Sequence, residues 1–520
     1  MTLTTEPEDI EPNIEPEDED ELEPAQQEAV NPFVPMPRWA ILSVLLFGAF
    51  YTLIVCSAAL NNVRESGDSM VWVALSTVWL LCWVFYPFIA YKPTYGWCHP
   101  LILPALLSII NLLPRSTSLF MNGLTDHSML PGWSQDELNM LYAYGNCVNS
   151  LALMATYAGF LMGPRFGVPS LQPPTSPRKR LYTVLLLFLG ISIVAFIYYT
   201  QIYGGLFSHI KSLAFGMVKR IELAEDVDGI GHYTALMNMA TIAAIVWVCA
   251  QAGALRNPFF WLLATSSLVL AYLCDGKRSS FIYPAILILL CWMLRNRKVP
   301  YLRLAVVGTT AFFLIGLLGL VRSSNWTDMN NLNLDAFHET SVAEMGTRSL
   351  DELALRSGSQ STFFAILAKV PQEEEMLYGK TYLEWGLRFV PRQFWPEKPR
   401  GVDVQANQTF YGSDWGLPAG AVGEAYWNFH LPGVLVVFFL MGIFKRWLGD
   451  LLLRYPAAPA IMVIYMISLF YFDASQNGFK NWLYAIIPAL CMLALGGLLG
   501  LRRSTSDARP TSIPIHRRAA

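Results

Sequence analysis

Charge is scarce in this chain. Only 14% of its 520 residues are Asp, Glu, Lys or Arg, where soluble domains average roughly a quarter, which excludes an ordinary soluble globular protein. There is no GxxxxGK[ST] loop and so no P-loop for ATP. There is no HExxH pair, no GxSxG elbow and no CxxC pair, which removes zincin, α/β-hydrolase and zinc-ribbon chemistry. No DxD-like pair of the kind that holds a metal-bound sugar nucleotide stands out. No metal, no cofactor and no nucleic-acid partner is expected. Cysteine is sparse, with eight residues at positions 56, 82, 98, 147, 249, 274, 291 and 491. All lie in or near apolar stretches and read as small core residues. Disulfides therefore do not order the long polar segment described below.

Apolar sequence, by contrast, is abundant. Hydrophobic residues make up 54% of the chain, in repeated runs of roughly 20 residues, enough to cross a hydrocarbon core of about 30 Å. Barrel strands would read as short alternating segments, and none dominate. The expected fold class is an all-α polytopic membrane protein with about twelve transmembrane helices. The spans are expected at 39–60, 69–91, 98–113, 138–162, 181–203, 232–254, 258–274, 279–294, 302–321, 421–446, 457–473 and 481–500. Basic residues cluster at 165–180, at Arg295-Asn-Arg-Lys298, at Lys445-Arg446 with Arg454, and at Arg502-Arg503. With twelve spans all four clusters fall on one side, and the positive-inside rule makes that side the cytoplasm, with both termini there.

The chain thus divides into five parts. Residues 1–37 are rich in Glu, Asp and Pro, lack the basic and apolar regions of a signal peptide, and are expected to be a disordered cytoplasmic tail. Residues 38–321 hold the first nine spans, 322–420 form a large periplasmic loop, 421–500 hold the last three spans, and 501–520 form a basic cytoplasmic tail. Within the loop, Thr362-Phe-Phe-Ala-Ile-Leu-Ala368 is too apolar for free solvent and is expected to pack on the bundle. The stretch from Tyr382 to Trp395 mixes aromatic rings with Arg388 and Arg392, as an interfacial helix would.

The loop and its borders hold the candidate chemistry. An outward site has no access to cytosolic energy carriers, so its substrate must arrive activated, most naturally as a lipid-linked phosphate or diphosphate. Guanidinium is planar, permanently charged and bidentate toward phosphate oxygens. Arg278 lies in Cys274-Asp-Gly-Lys-Arg-Ser-Ser280 at the outer junction of two spans, and Arg356, Arg388 and Arg392 lie in the loop. Together they read as an anion site; singly, each also fits a structural ion pair or a headgroup contact. Glu424 opens the tenth span, where a carboxylate is costly unless paired or protonated. It fits a general base taking a proton from a hydroxyl, and equally a salt bridge to a loop arginine. His430 is a second base candidate, or a packed, hydrogen-bonded histidine.

Three stretches carry a family resemblance: Tyr378-Gly-Lys-Thr-Tyr382, Val390-Pro-Arg-Gln-Phe-Trp-Pro-Glu-Lys-Pro399 and Gly423-Glu-Ala-Tyr-Trp-Asn-Phe429. With the span count and the large loop, they resemble the Wzy-type O-antigen and oligosaccharide repeat-unit polymerases. His430-Leu-Pro departs from the pattern, where a glycine is expected soon after Asn-Phe. The resemblance implies a GT-C-like, metal-independent, inverting glycosyltransferase of the bacterial inner membrane. Its substrate would be an undecaprenyl-diphosphate-linked oligosaccharide and its surroundings membrane lipids, with a chain-length regulator as a further partner. Arg278, Arg356, Arg388 and Arg392 would bind the diphosphate, and Glu424 would deprotonate the acceptor hydroxyl. Two other readings remain open: a flippase or exporter of lipid-linked sugars, and an O-antigen ligase-like transferase.

Overall fold

The computed structural model describes residues 32–66, 69–92, 94–109, 130, 132–167, 178–202, 204–209, 230–275, 278–306, 308–310, 359–387, 395, 401–412 and 418–499. The two tails therefore lie almost wholly outside the described residues. Within them the chain is helical throughout, with no strand. The helices are α1 (Arg38–Ser66), α2 (Ser69–Ile89), α3 (Gln135–Met162), α4 (Arg178–Ile202), α5 (Ile230–Met237), α6 (Met239–Ala250), α7 (Pro258–Asp275), α8 (Arg278–Asn296), α9 (Ser359–Lys369), α10 (Lys380–Trp385), α11 (Val402–Tyr411), α12 (Gly420–Arg454), α13 (Pro459–Tyr471) and α14 (Gln476–Leu495).

Six helices are long and apolar enough to cross a membrane: α1, α2, α4, the α5–α6 pair, α12 and α14. Shorter apolar helices lie in α7, α8 and α13. Their outward faces are as apolar as their inward ones. On α1, Leu42, Leu46, Phe50 and Leu53 are all exposed, a surface suited to lipid rather than water. The expected third and ninth spans are described only in part, as helical residues at 102–109 and at 301–306 with 308–310. The sixth comprises α5 and α6, which meet at Asn238.

Two bundles share the core. One surrounds α6, where every residue from Ala240 to Cys249 is buried against α4, α7, α8, α13 and α14. The other joins α3 to α2, α9 and α12. The axes of α3 and α12 approach until their backbones touch. A Cβ at Gly159 would collide with the Phe439 carbonyl, and one at Gly442 with the Thr156 carbonyl. Small residues permit such contact between apolar helices. Buried polar groups add to the cohesion: Asn146 on α3 donates to Ser76 (3.3 Å) and Thr77 (3.0 Å) on α2.

Basic side chains bind backbone carbonyls at one end of the molecule. Arg446 donates to the carbonyls of Leu161 and Gly163 (3.1 and 2.8 Å) beyond α3. Arg180 donates to the Leu495 carbonyl at the end of α14 (2.6 Å), and Arg295 to the Ala457 carbonyl in the loop between α12 and α13 (3.2 Å). Cations at helix C-termini satisfy orphan carbonyls and oppose the negative end of the helix dipole. The opposite end holds the starts of α3, α12 and α14 and the α9–α11 segment. Arginines from three of the four basic clusters thus lie at one end.

Candidate functional site

The site is built where α12 breaks. Pro432 has no N–H for the carbonyl four residues back and its ring crowds that turn. The backbone leaves helical geometry at Phe429 (φ −145°, ψ 17°) and His430 (φ 57°, ψ −151°). The freed carbonyls of Trp427 and Asn428 accept instead from the N–H groups of Leu377 and Tyr378, at 3.0 and 3.1 Å. Gly379 N–H donates to Asn428 Oδ1 (3.0 Å), and Asn428 Nδ2 donates to Thr381 Oγ1 and to the Glu424 carbonyl (both 2.8 Å). Gly379 has φ 87°, and a Cβ there would meet the Phe429 ring at 2.8 Å, so a glycine is required at this crossing. Tyr382 lies parallel to Phe429, ring centroids 6.4 Å apart. The Tyr378–Tyr382 and Gly423–Phe429 motifs, 41 residues apart between their last and first members, are therefore seated on one another.

Glu424 is fully buried at 0% exposure. Its Oε1 accepts from Trp385 Nε1 (3.3 Å) and its Oε2 from the Gln476 backbone N–H (2.7 Å). Gln476 is a hub: its Oε1 accepts from the Val402 N–H (2.7 Å), and its Nε2 donates to Glu384 Oε2 (3.4 Å). Asp403 accepts from Asn477 nearby. Donors from α10 and α14 thus converge on carboxylates of α10, α11 and α12. Glu424 has no arginine or lysine partner among the described residues; its oxygens are met by hydrogen-bond donors. Burial, together with the neighbouring carboxylates of Glu424 and Asp473, raises Tyr382 above the usual phenol range and keeps it protonated.

His430 lies on the other side of the break. Its Nε2 is 2.6 Å from the Tyr426 hydroxyl, which is 3.2 Å from the Tyr144 hydroxyl of α3. Tyr426 is 2% exposed and Phe429 41%, so the break has a sealed side and an open side. A non-glycine residue at the His430 dihedrals stores about 1–3 kcal/mol of strain. This is the position where the sequence departs from the expected glycine.

Of the predicted residues, Glu424 and His430 are brought into one site. Arg278 begins α8, at the same end of the bundle, and its side chain is not described. The carbonyls just before that turn are held by Tyr199 (to Cys274, 2.8 Å) and His209 (to Leu273, 2.6 Å). Arg356, Arg388 and Arg392 lie outside the described residues. As expected, α9 packs on the bundle, with Phe363 and Ile366 buried against α3 and α12. Trp385 is not a headgroup anchor; it stacks on Phe479 (4.9 Å, 17°) inside the cluster. Sequence reasoning missed Tyr144, Gln476 and Glu384. The run Asp473-Ala-Ser-Gln-Asn477, polar between two apolar helices, was the available signal for Gln476.

No protein-family model, no curated protein and no solved structure matches this chain.

Proposed function

We propose that this protein polymerises undecaprenyl-diphosphate-linked oligosaccharide repeat units by glycosyl transfer on the periplasmic face of the bacterial inner membrane. The observation that carries the reading is the docking of the Tyr378–Tyr382 motif on Gly423–Phe429, at the end opposite the arginine caps. Two of the three stretches behind the resemblance thereby form a single site. In this reading the bundle is GT-C-like, with about twelve spans and both termini in the cytoplasm. Arg278, Arg356, Arg388 and Arg392 hold the diphosphate and stabilise its charge as it leaves. The acceptor hydroxyl attacks the anomeric carbon with inversion, and Glu424 or His430 takes its proton. No metal or cofactor enters the scheme. Membrane lipids surround the donor's tail, and a chain-length regulator is a further partner in this reading.

The interrupted helix α12 also favours a second reading, because transporters build binding sites at discontinuous helices. The two readings separate in a deletion strain. A polymerase mutant accumulates single lipid-linked repeats on the outer face, and a flippase mutant retains them on the inner face. A ligase mutant accumulates full-length lipid-linked chains instead. Arg392→Ala and Arg278→Ala should each abolish chain extension at unchanged protein abundance; normal polymer length in both variants would remove the anion site.

A further inference from the structure

We infer that Tyr426, backed by Tyr144, fixes His430 in the tautomer whose Nδ1 accepts the proton of the acceptor hydroxyl; this rests on the glycosyl-transfer reading above. Three observations carry it. The first is the hydroxyl chain: Tyr144 and Tyr426 at 3.2 Å, Tyr426 and His430 Nε2 at 2.6 Å, with the Tyr426 and His430 rings 4.3 Å apart. The second is that His430 Nδ1 has no hydrogen-bond partner among the described residues and is not sealed from the surroundings. The third is the backbone. At φ 57°, ψ −151° a glycine would sit without strain, yet this position carries an imidazole.

The hydroxyl chain can run in either direction, and the one assigned to it starts at the imidazole. His430 Nε2–H donates to the Tyr426 hydroxyl oxygen, whose own O–H donates to Tyr144. Nδ1 then carries a lone pair with no hydrogen-bond partner among the described residues. A base oriented by a hydrogen bond to its other nitrogen is a recurrent arrangement. Glu424 is differently placed: it is wholly buried, and both its oxygens already accept hydrogen bonds. Its role is to hold the segment from Leu377 to Trp385 against α12. In the transfer step the acceptor O–H bond breaks and its proton moves to Nδ1. The hydroxyl oxygen bonds to the anomeric carbon. The anomeric C–O bond to the diphosphate breaks, and its electron pair leaves on the diphosphate. The imidazolium afterwards releases its proton to water. His430 is thus a catalytic residue, and Tyr426 and Tyr144 are positioning residues.

The test uses the full-length protein in proteoliposomes, with lipid-linked saccharide extracted from cells lacking the protein as the probe. His430→Gln, whose amide N–H still donates to Tyr426 but which has no base, should lower kcat roughly 100-fold or more and leave KM unchanged. His430→Gly should be equally slow and recover with added imidazole. Tyr426→Phe should lower kcat, not KM, at an unchanged melting temperature. If the wild type extends the saccharide while Tyr426→Phe keeps full kcat, or imidazole fails to rescue His430→Gly, the assignment is overturned. If the wild type itself extends nothing, the glycosyl-transfer reading fails instead. Should Tyr426→Phe not fold, Tyr144→Phe and the imidazole rescue decide the matter.

Discussion

At the scale of single residues, the site trades stability for placement. His430 occupies a conformation that a glycine would adopt freely. His430→Gly is expected to raise stability by about 1 kcal/mol, read by thermal melting, while chain extension is lost; an unstable variant would show that the imidazole contacts outweigh the strain. Glu424→Gln replaces an acceptor oxygen by an amide that must face Trp385 Nε1–H or the Gln476 N–H. It should cost about 1–3 kcal/mol and leave single-repeat glycolipid accumulating. Faster hydrogen exchange at the Leu377 and Tyr378 amides would locate that loss in the docked segment. Both Glu424 and His430 were legible in the sequence, because an ionisable group inside an apolar run stands out. Tyr144 was not, because a tyrosine in an apolar helix has an ordinary explanation and its partner is 282 positions away.

At the scale of elements, run length located most helices, and structure supplied what run length does not carry. The break in α12 could be suspected from Pro432, but not the capture of its freed carbonyls by residues 377 and 378. The contact of α3 with α12 depends on Gly159 and Gly442, whose spacing has no meaning until the two helices are known to be neighbours. Gly442→Ala should cost about 1–3 kcal/mol, because its Cβ would meet the Thr156 carbonyl rather than a movable side chain. At the start of α3, Ser134 and Glu137 form a reciprocal cap: Ser134 N–H donates to Glu137 Oε2 (2.8 Å), and Glu137 N–H to Ser134 Oγ (3.3 Å). The Ser134 donors hold the Glu137 carboxyl below its usual range. A lowered carboxyl pKa contributes stability that is present above the unfolded value of about 4.3 and is lost as pH falls through the folded value. Ser134→Ala should lower the melting temperature at neutral pH and flatten this acid-side dependence; an unchanged slope in titrated melts would count against the cap.

At the scale of the whole molecule, the distribution of charge is the organising fact. Arg180, Arg295 and Arg446 all bind backbone carbonyls at one end of the bundle, and the docked motifs occupy the other. This asymmetry was readable from the spacing of basic clusters between apolar runs. The arginines assigned to the anion site were readable only as composition. Three of them fall outside the described residues, so their convergence rests on the proposal. The proposed orientation implies that a cysteine at Tyr378, 70% exposed, reacts with an impermeant thiol reagent added from the periplasm, and that one at Arg454 does not. The reverse labelling would place the docked motifs in the cytoplasm, away from a lipid-linked donor already carried across. The most direct measurement is mass spectrometry of the lipid-linked products made by the reconstituted wild-type protein from extracted single-repeat glycolipid. The account predicts a ladder of lengthening saccharides, with one undecaprenyl diphosphate freed for each repeat added. Glycolipid recovered only as single repeats, whether moved across the bilayer or left in place, would contradict it.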